Sequence, residues 1–64
     1  MDLKELNMLR KKYVGKKVRV NILDDWNPIL NKTGVVEYVD DMGQLHGTWG
    51  GLAVIPDIDD IVLV

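Results

Sequence analysis

Cysteine is absent from this chain, and in a sequence of 64 residues that absence constrains the fold more than any other feature. A domain this short buries only about 60% of the surface its unfolded form exposes, and its core supplies net stability on the order of 3–5 kcal/mol. Disulfides and thiolate metal sites, the usual reinforcements, are both excluded. A single imidazole, His46, does not make a structural zinc site either. What is left is a single β-rich domain with tight turns, reinforced by self-association or by a partner.

Two periodicities organise the chain. Residues 1–14 form an N-terminal helical segment, with the helix itself expected over 2–12. Asp2 is placed as N-cap, and Glu5 three residues on completes a capping-box pattern, with Met1 and Leu6 as its hydrophobic staple. Leu3, Leu6, Leu9 and Tyr13 recur at a spacing of three to four, which lays one apolar stripe on a core. Gly15 ends the segment. A helix of this length is marginal alone, so it has to be docked.

From Lys16 the period becomes two. Val18, Val20 and Ile22 alternate with Lys17, Arg19 and Asn21, the pattern of a half-buried strand. A long loop is expected over 24–32, then a strand over 33–39. Asp40-Asp41-Met42-Gly43 reads as a tight hairpin turn with Gly43 in the left-handed region. Further strands are expected over 44–49, 52–55 and 61–64, with a helical turn at 56–60. Five short strands closed by tight turns predict a small, partly open barrel of SH3-like type over residues 16–64, with the helix over one end. Closing the edges is how so short a β-chain avoids exposing them.

Charge is divided along the chain. Residues 1–20 carry seven of the eight basic residues and two acids, a balance of +5. Residues 21–64 carry Lys32 and eight acids, a balance of −7, so the whole is −2. No apolar stretch approaches the ~18 residues of a membrane span. The first residues lack the basic start and apolar run of a secretory signal. A cytoplasmic protein is expected.

Catalysis finds no support in the residue types. With no cysteine, no serine and one histidine, neither a thiol nucleophile nor a Ser-His-Asp arrangement exists. No phosphate-binding glycine loop is present. The doublets Asp24-Asp25, Asp40-Asp41 and Asp59-Asp60 fall where turns use Asp to bond their own backbone. Neighbouring residues on a strand also face opposite ways, which does not suit an acid/base pair. No catalytic residue, metal ligand or cofactor is assigned.

One stretch is more specific than a fold class. The run from Gly34 to His46, Gly-Val-Val-Glu-Tyr-Val-Asp-Asp-Met-Gly-Gln-Leu-His, followed by Trp49, Leu52, Ile55-Pro56 and Asp59, resembles a bacterial and phage family known as domain of unknown function number 4314. The resemblance covers nearly the whole chain and is sharpest over residues 34–56. At Trp49-Gly50-Gly51-Leu52 the connection is tighter than in the family's usual pattern. The resemblance implies an SH3-like fold and a phage or mobile-element setting. It transfers no catalytic residue, because the family has no established activity.

These features predict a binding module with no catalytic role. The first expected surface is the long loop, where Trp26 stands beside Asp24, Asp25 and Ile29 as an aromatic anchor for a protein partner. Its alternative role is to cap the barrel end with Ile29 and Leu30. In the implied setting such an acidic module would inhibit or modulate a host protein. A second reading is nucleic-acid binding through Arg10, Lys11, Lys12, Lys16, Lys17 and Arg19, with Tyr13 stacking on a base. A third is a small-molecule or nucleotide pocket between protomers. His46 is expected at the surface or on the barrel rim, and Trp49 in the core.

Overall fold

The computed structural model describes residues 2–64. Helix α1 spans Leu3–Tyr13, and four strands follow: β1 (Lys17–Ile22), β2 (Ile29–Val39), β3 (Leu45–Gly47) and β4 (Asp60–Leu63). They form one antiparallel sheet in the order β3-β2-β1-β4. The protein is therefore mainly β, with one short N-terminal helix.

Asp2 caps α1 as its sequence position predicts, its Oδ1 accepting from the Glu5 amide at 2.9 Å. Arg10, Lys11 and Lys12 fill the last turn, where the helix dipole favours cations. The expected Met1–Leu6 staple lies outside the described residues. Leu6 and Tyr13 are buried and Leu9 packs against the core, but Leu3 is exposed. Gly15, at φ 81°, turns the chain so that its N–H reaches the Val36 carbonyl at 2.8 Å. Val36 in turn donates to the Lys16 carbonyl, so the helix exit is stitched to the middle of β2.

The core is the inward face of the sheet under that helix. Val18, Val20 and Ile22 of β1 meet Val36 and Val39 of β2, Leu45 of β3, and Val54 and Trp49 from the following segment. β2 is one continuous strand that changes partner along its length. Its first half pairs with β1, and its second half, from Val36 on, pairs with β3.

Two sequence expectations are corrected here. The loop is shorter than 24–32, because β2 starts at Ile29 and only residues 23–28 lie between the strands. A bulge hid this: the register slips between Val20 and Ile22, Asn31 takes φ 55°, and Asn21 Oδ1 accepts from the Asn31 amide at 2.8 Å. There are also four strands rather than five. Over 52–55 only Val54 pairs, exchanging backbone bonds of 2.9 and 2.8 Å with Leu45. Its neighbours' polar groups are used by side chains instead. Trp49 Nε1–H donates to the Leu52 carbonyl at 2.7 Å, and Asp59 Oδ2 accepts from the Ile55 amide at 2.8 Å.

Candidate functional site

The loop between β1 and β2 is shaped by one carboxylate. Asp24 Oδ2 accepts from the amides of Trp26 and Asn27 at 3.0 and 2.8 Å, an Asx turn that satisfies the loop backbone locally. Trp26 rides on this turn and is 88% exposed. Of the three side chains expected to anchor or cap, only Ile29 packs on the core, while Trp26 and Leu30 face solvent. Asp25 is exposed beside them.

Next to the loop lies a shallow cavity of about 440 Å³. Leu23, Leu52 and Ile58 contribute apolar surface to its wall, and Asp24 and Asp25 contribute carboxylates. All three apolar side chains are exposed to 41% or more. Beneath them Asp59 is buried. Its Oδ1 accepts from the Leu23 amide and its Oδ2 from the Ile55 amide, both at 2.8 Å. This one side chain ties the end of β1 to the turn that precedes β4, and so sets the distance between the two walls.

A second cluster is built on the β2–β3 hairpin. Asp40 Oδ1 accepts from the amides of Met42 and Gln44, and its Oδ2 sits 2.8 Å from His46 Nε2. The hydrogen bond from His46, followed by the Gln44 amide, holds the Asp40 carboxyl below its ordinary value. The His46 ring stacks on Tyr38 at 4.3 Å between centroids, with the planes 3° apart. Arg10 reaches the same hairpin, donating from Nε and Nη2 to the Val39 carbonyl at 3.3 and 3.1 Å and lying 3.5 Å from Asp41. Sequence reasoning placed Asp40 and Gly43 in this turn. It did not see the Tyr38–His46 stack, although two ring-bearing residues flanking a four-residue turn were a usable signal.

The basic residues do not form one strip. Arg10 is engaged with the hairpin, and Tyr13 is buried in the core with Lys12 Nζ 5.2 Å above its ring. Tyr13 therefore has no face free to stack on a base, which corrects that part of the nucleic-acid reading. Lys11 and Lys16 are exposed. Lys17 and Arg19 alternate with the buried Val18 and Val20, so they share the outward face of the sheet.

Among the described residues no group of three or more His, Cys, Asp or Glu side chains could hold a metal ion. No buried side-chain nitrogen or oxygen among them lacks a partner. Asp40 and Asp59 are thus occupied within the fold, and among the features left open to a ligand are Trp26 and the acid-rimmed cavity beside it.

A family model described as "Domain of unknown function (DUF4314)" matches residues 2–64. No curated protein and no solved structure matches the chain.

Proposed function

We propose, starting from the fact that this chain belongs to the Domain of unknown function (DUF4314) family, that it is a non-catalytic module that docks a protein partner through the Trp26 loop. The observation that carries this reading is the exposure of Trp26 on a turn whose backbone is already satisfied. A large aromatic side chain left in water contributes nothing to packing, whereas buried aromatic anchors dominate protein interfaces. The neighbouring cavity offers apolar walls and carboxylates, which fits a segment carrying basic and aliphatic side chains.

The strand order, with Val54 bridged outside β3, supports an SH3-like barrel whose seam lies between Val54 and β4. We keep the cytoplasmic location expected from the sequence. Separately, no helix among the described residues is long and apolar enough to cross a membrane. In a phage or mobile-element setting the acidic rim would occupy a basic surface of a host protein, one that otherwise takes nucleic acid.

The test is an amide-resolved NMR titration with synthetic peptides that alternate lysine with leucine or isoleucine. Shifts should concentrate at residues 23–28, Leu52 and Ile58. Trp26→Ala should weaken binding by at least about tenfold while leaving the melting temperature unchanged. Peptides that shift only other residues, or a Trp26→Ala protein that unfolds, would sink the proposal. A second reading rests on Lys17 and Arg19 standing side by side on the outward sheet face. It expects oligonucleotides to shift residues 16–19, with affinity falling steeply as salt rises.

A further inference from the structure

The sheet is finished at one edge and open at the other. Beyond β3, Val54 exchanges two backbone bonds with Leu45. Beyond β4, no backbone group among the described residues pairs with Ile61 or Leu63. The phase of the ladder shows which groups are left over. The Val64 amide donates to the Lys17 carbonyl at 3.0 Å, and the β1–β4 register sets Arg19 opposite Val62. Hydrogen-bonded and non-hydrogen-bonded pairs alternate along an antiparallel ladder. Arg19 and Val62 therefore bond each other, while Ile61 and Leu63 direct their N–H and C=O groups away from β1.

The side chains do nothing to block that edge. Natural edge strands are guarded by lysine, proline or a bulge. β4 has none of these, and its one charge, Asp60, stands at its start. Val62, Leu63 and Val64 are 55, 45 and 53% exposed.

We infer that β4 is a self-recognition edge, and that two copies of this chain pair β4 with β4, antiparallel, about a two-fold axis through Val62. This register uses all the free groups. Ile61 of each copy faces Leu63 of the other, so every outward N–H meets an outward C=O. A slip of two residues that sets Ile61 opposite Ile61 brings Leu63 opposite Asp59, whose amide already donates to the Ile55 carbonyl. Val62 meets Val62 on one face, and Ile61 meets Leu63 on the other.

Charge complementarity favours a second copy as the occupant. Asp60 falls opposite Val64 of the second copy, and the next strand across from that Val64 presents Lys17. Lys17 and Asp60 of opposite copies thus lie in one row, two strands or about 9–10 Å apart, within reach of an extended lysine side chain leaning over Val64. No acidic residue of one copy faces an acidic residue of the other along this seam. The contact is small, so the dimer is weak and depends on concentration.

Sedimentation velocity tests this over a range from about 10 µM to about 1 mM, where weak association becomes visible. The mass should rise from 7.3 kDa towards twice that value. Val62→Glu places two carboxylates on the axis while leaving each beside its own Arg19, so it should fold normally and dimerise at least about tenfold more weakly. Val62→Lys should weaken it likewise, and an equimolar mixture of the two variants should restore a dimer through opposite charges on the axis. Trp26→Ala should dimerise like the parent, which separates this edge from the Trp26 loop. A parent protein that stays at 7.3 kDa throughout, a folded Val62→Glu that dimerises unchanged, or a variant mixture that stays monomeric would each overturn the inference.

Discussion

At the scale of single residues, the aspartates divide by what they hold. Asp24 and Asp40 bond amides within four residues of themselves. That is turn chemistry, and it was legible because Asp, Gly and Pro cluster at those positions. Asp59 is different, since one of its two amides, that of Leu23, lies 36 positions away. No local pattern announces such a contact. Asp59→Ala should strip two part-buried amides of their acceptor and cost about 2–4 kcal/mol in urea unfolding. Asp59→Asn, which keeps one acceptor oxygen, should cost less. Asp40 makes a prediction in pH. Its folded value lies below the ordinary 3.8, so its contribution is fully present above that value and is lost as pH falls through the lower, folded one. Urea midpoints measured across this acid range should fall more gently for Asp40→Asn than for the parent. Equal slopes would remove Asp40 from the acid transition.

Among the elements, α1 and β1 were readable because each keeps one period from end to end. β2 was seen only from Thr33 onward. Its first residues pass through a bulge with Asn31 in the left-handed region, and the period-two signal fails there. The segment at Val54 misled in the opposite direction, since four consecutive apolar residues look like a strand whether or not their backbones pair. The candidate site was legible as a loop bearing Trp26, but its second wall, Leu52 and Ile58, could not be placed without the tertiary contact through Asp59. The β3 end shows how tight the element packing is. A Cβ on Gly47 would strike the Trp49 ring and lie 2.5 Å from the Val35 carbonyl oxygen, which the β2–β3 ladder fixes in place. Gly47→Ala should therefore cost about 1–3 kcal/mol, read as a lowered thermal midpoint with unchanged far-UV circular dichroism below it.

For the molecule as a whole, the helix is part of the core. Leu6 and Tyr13 are buried with the sheet residues, and Arg10 ties α1 to the hairpin. Burying two such side chains is worth roughly 1.5–3 kcal/mol each, comparable with the ~3–5 kcal/mol a domain of this size retains. Deleting residues 1–14 should thus abolish the cooperative thermal transition, and a truncated chain that still melts cooperatively would show the sheet to be self-sufficient. The charge division in the sequence also takes a spatial form. Its basic part supplies the helix and the outward face of β1, and three of its acids, Asp24, Asp25 and Asp59, come together around one cavity. The two tryptophans are divided as well, one in water and one 7% exposed beneath the sheet. In optical terms the chain carries two chromophores in unlike solvents. Trp26 should emit to the red and be quenched freely by iodide, while Trp49 should emit to the blue and be shielded until the domain opens. A single emission spectrum then separates two events, with contact at the loop moving the red component and unfolding moving the blue.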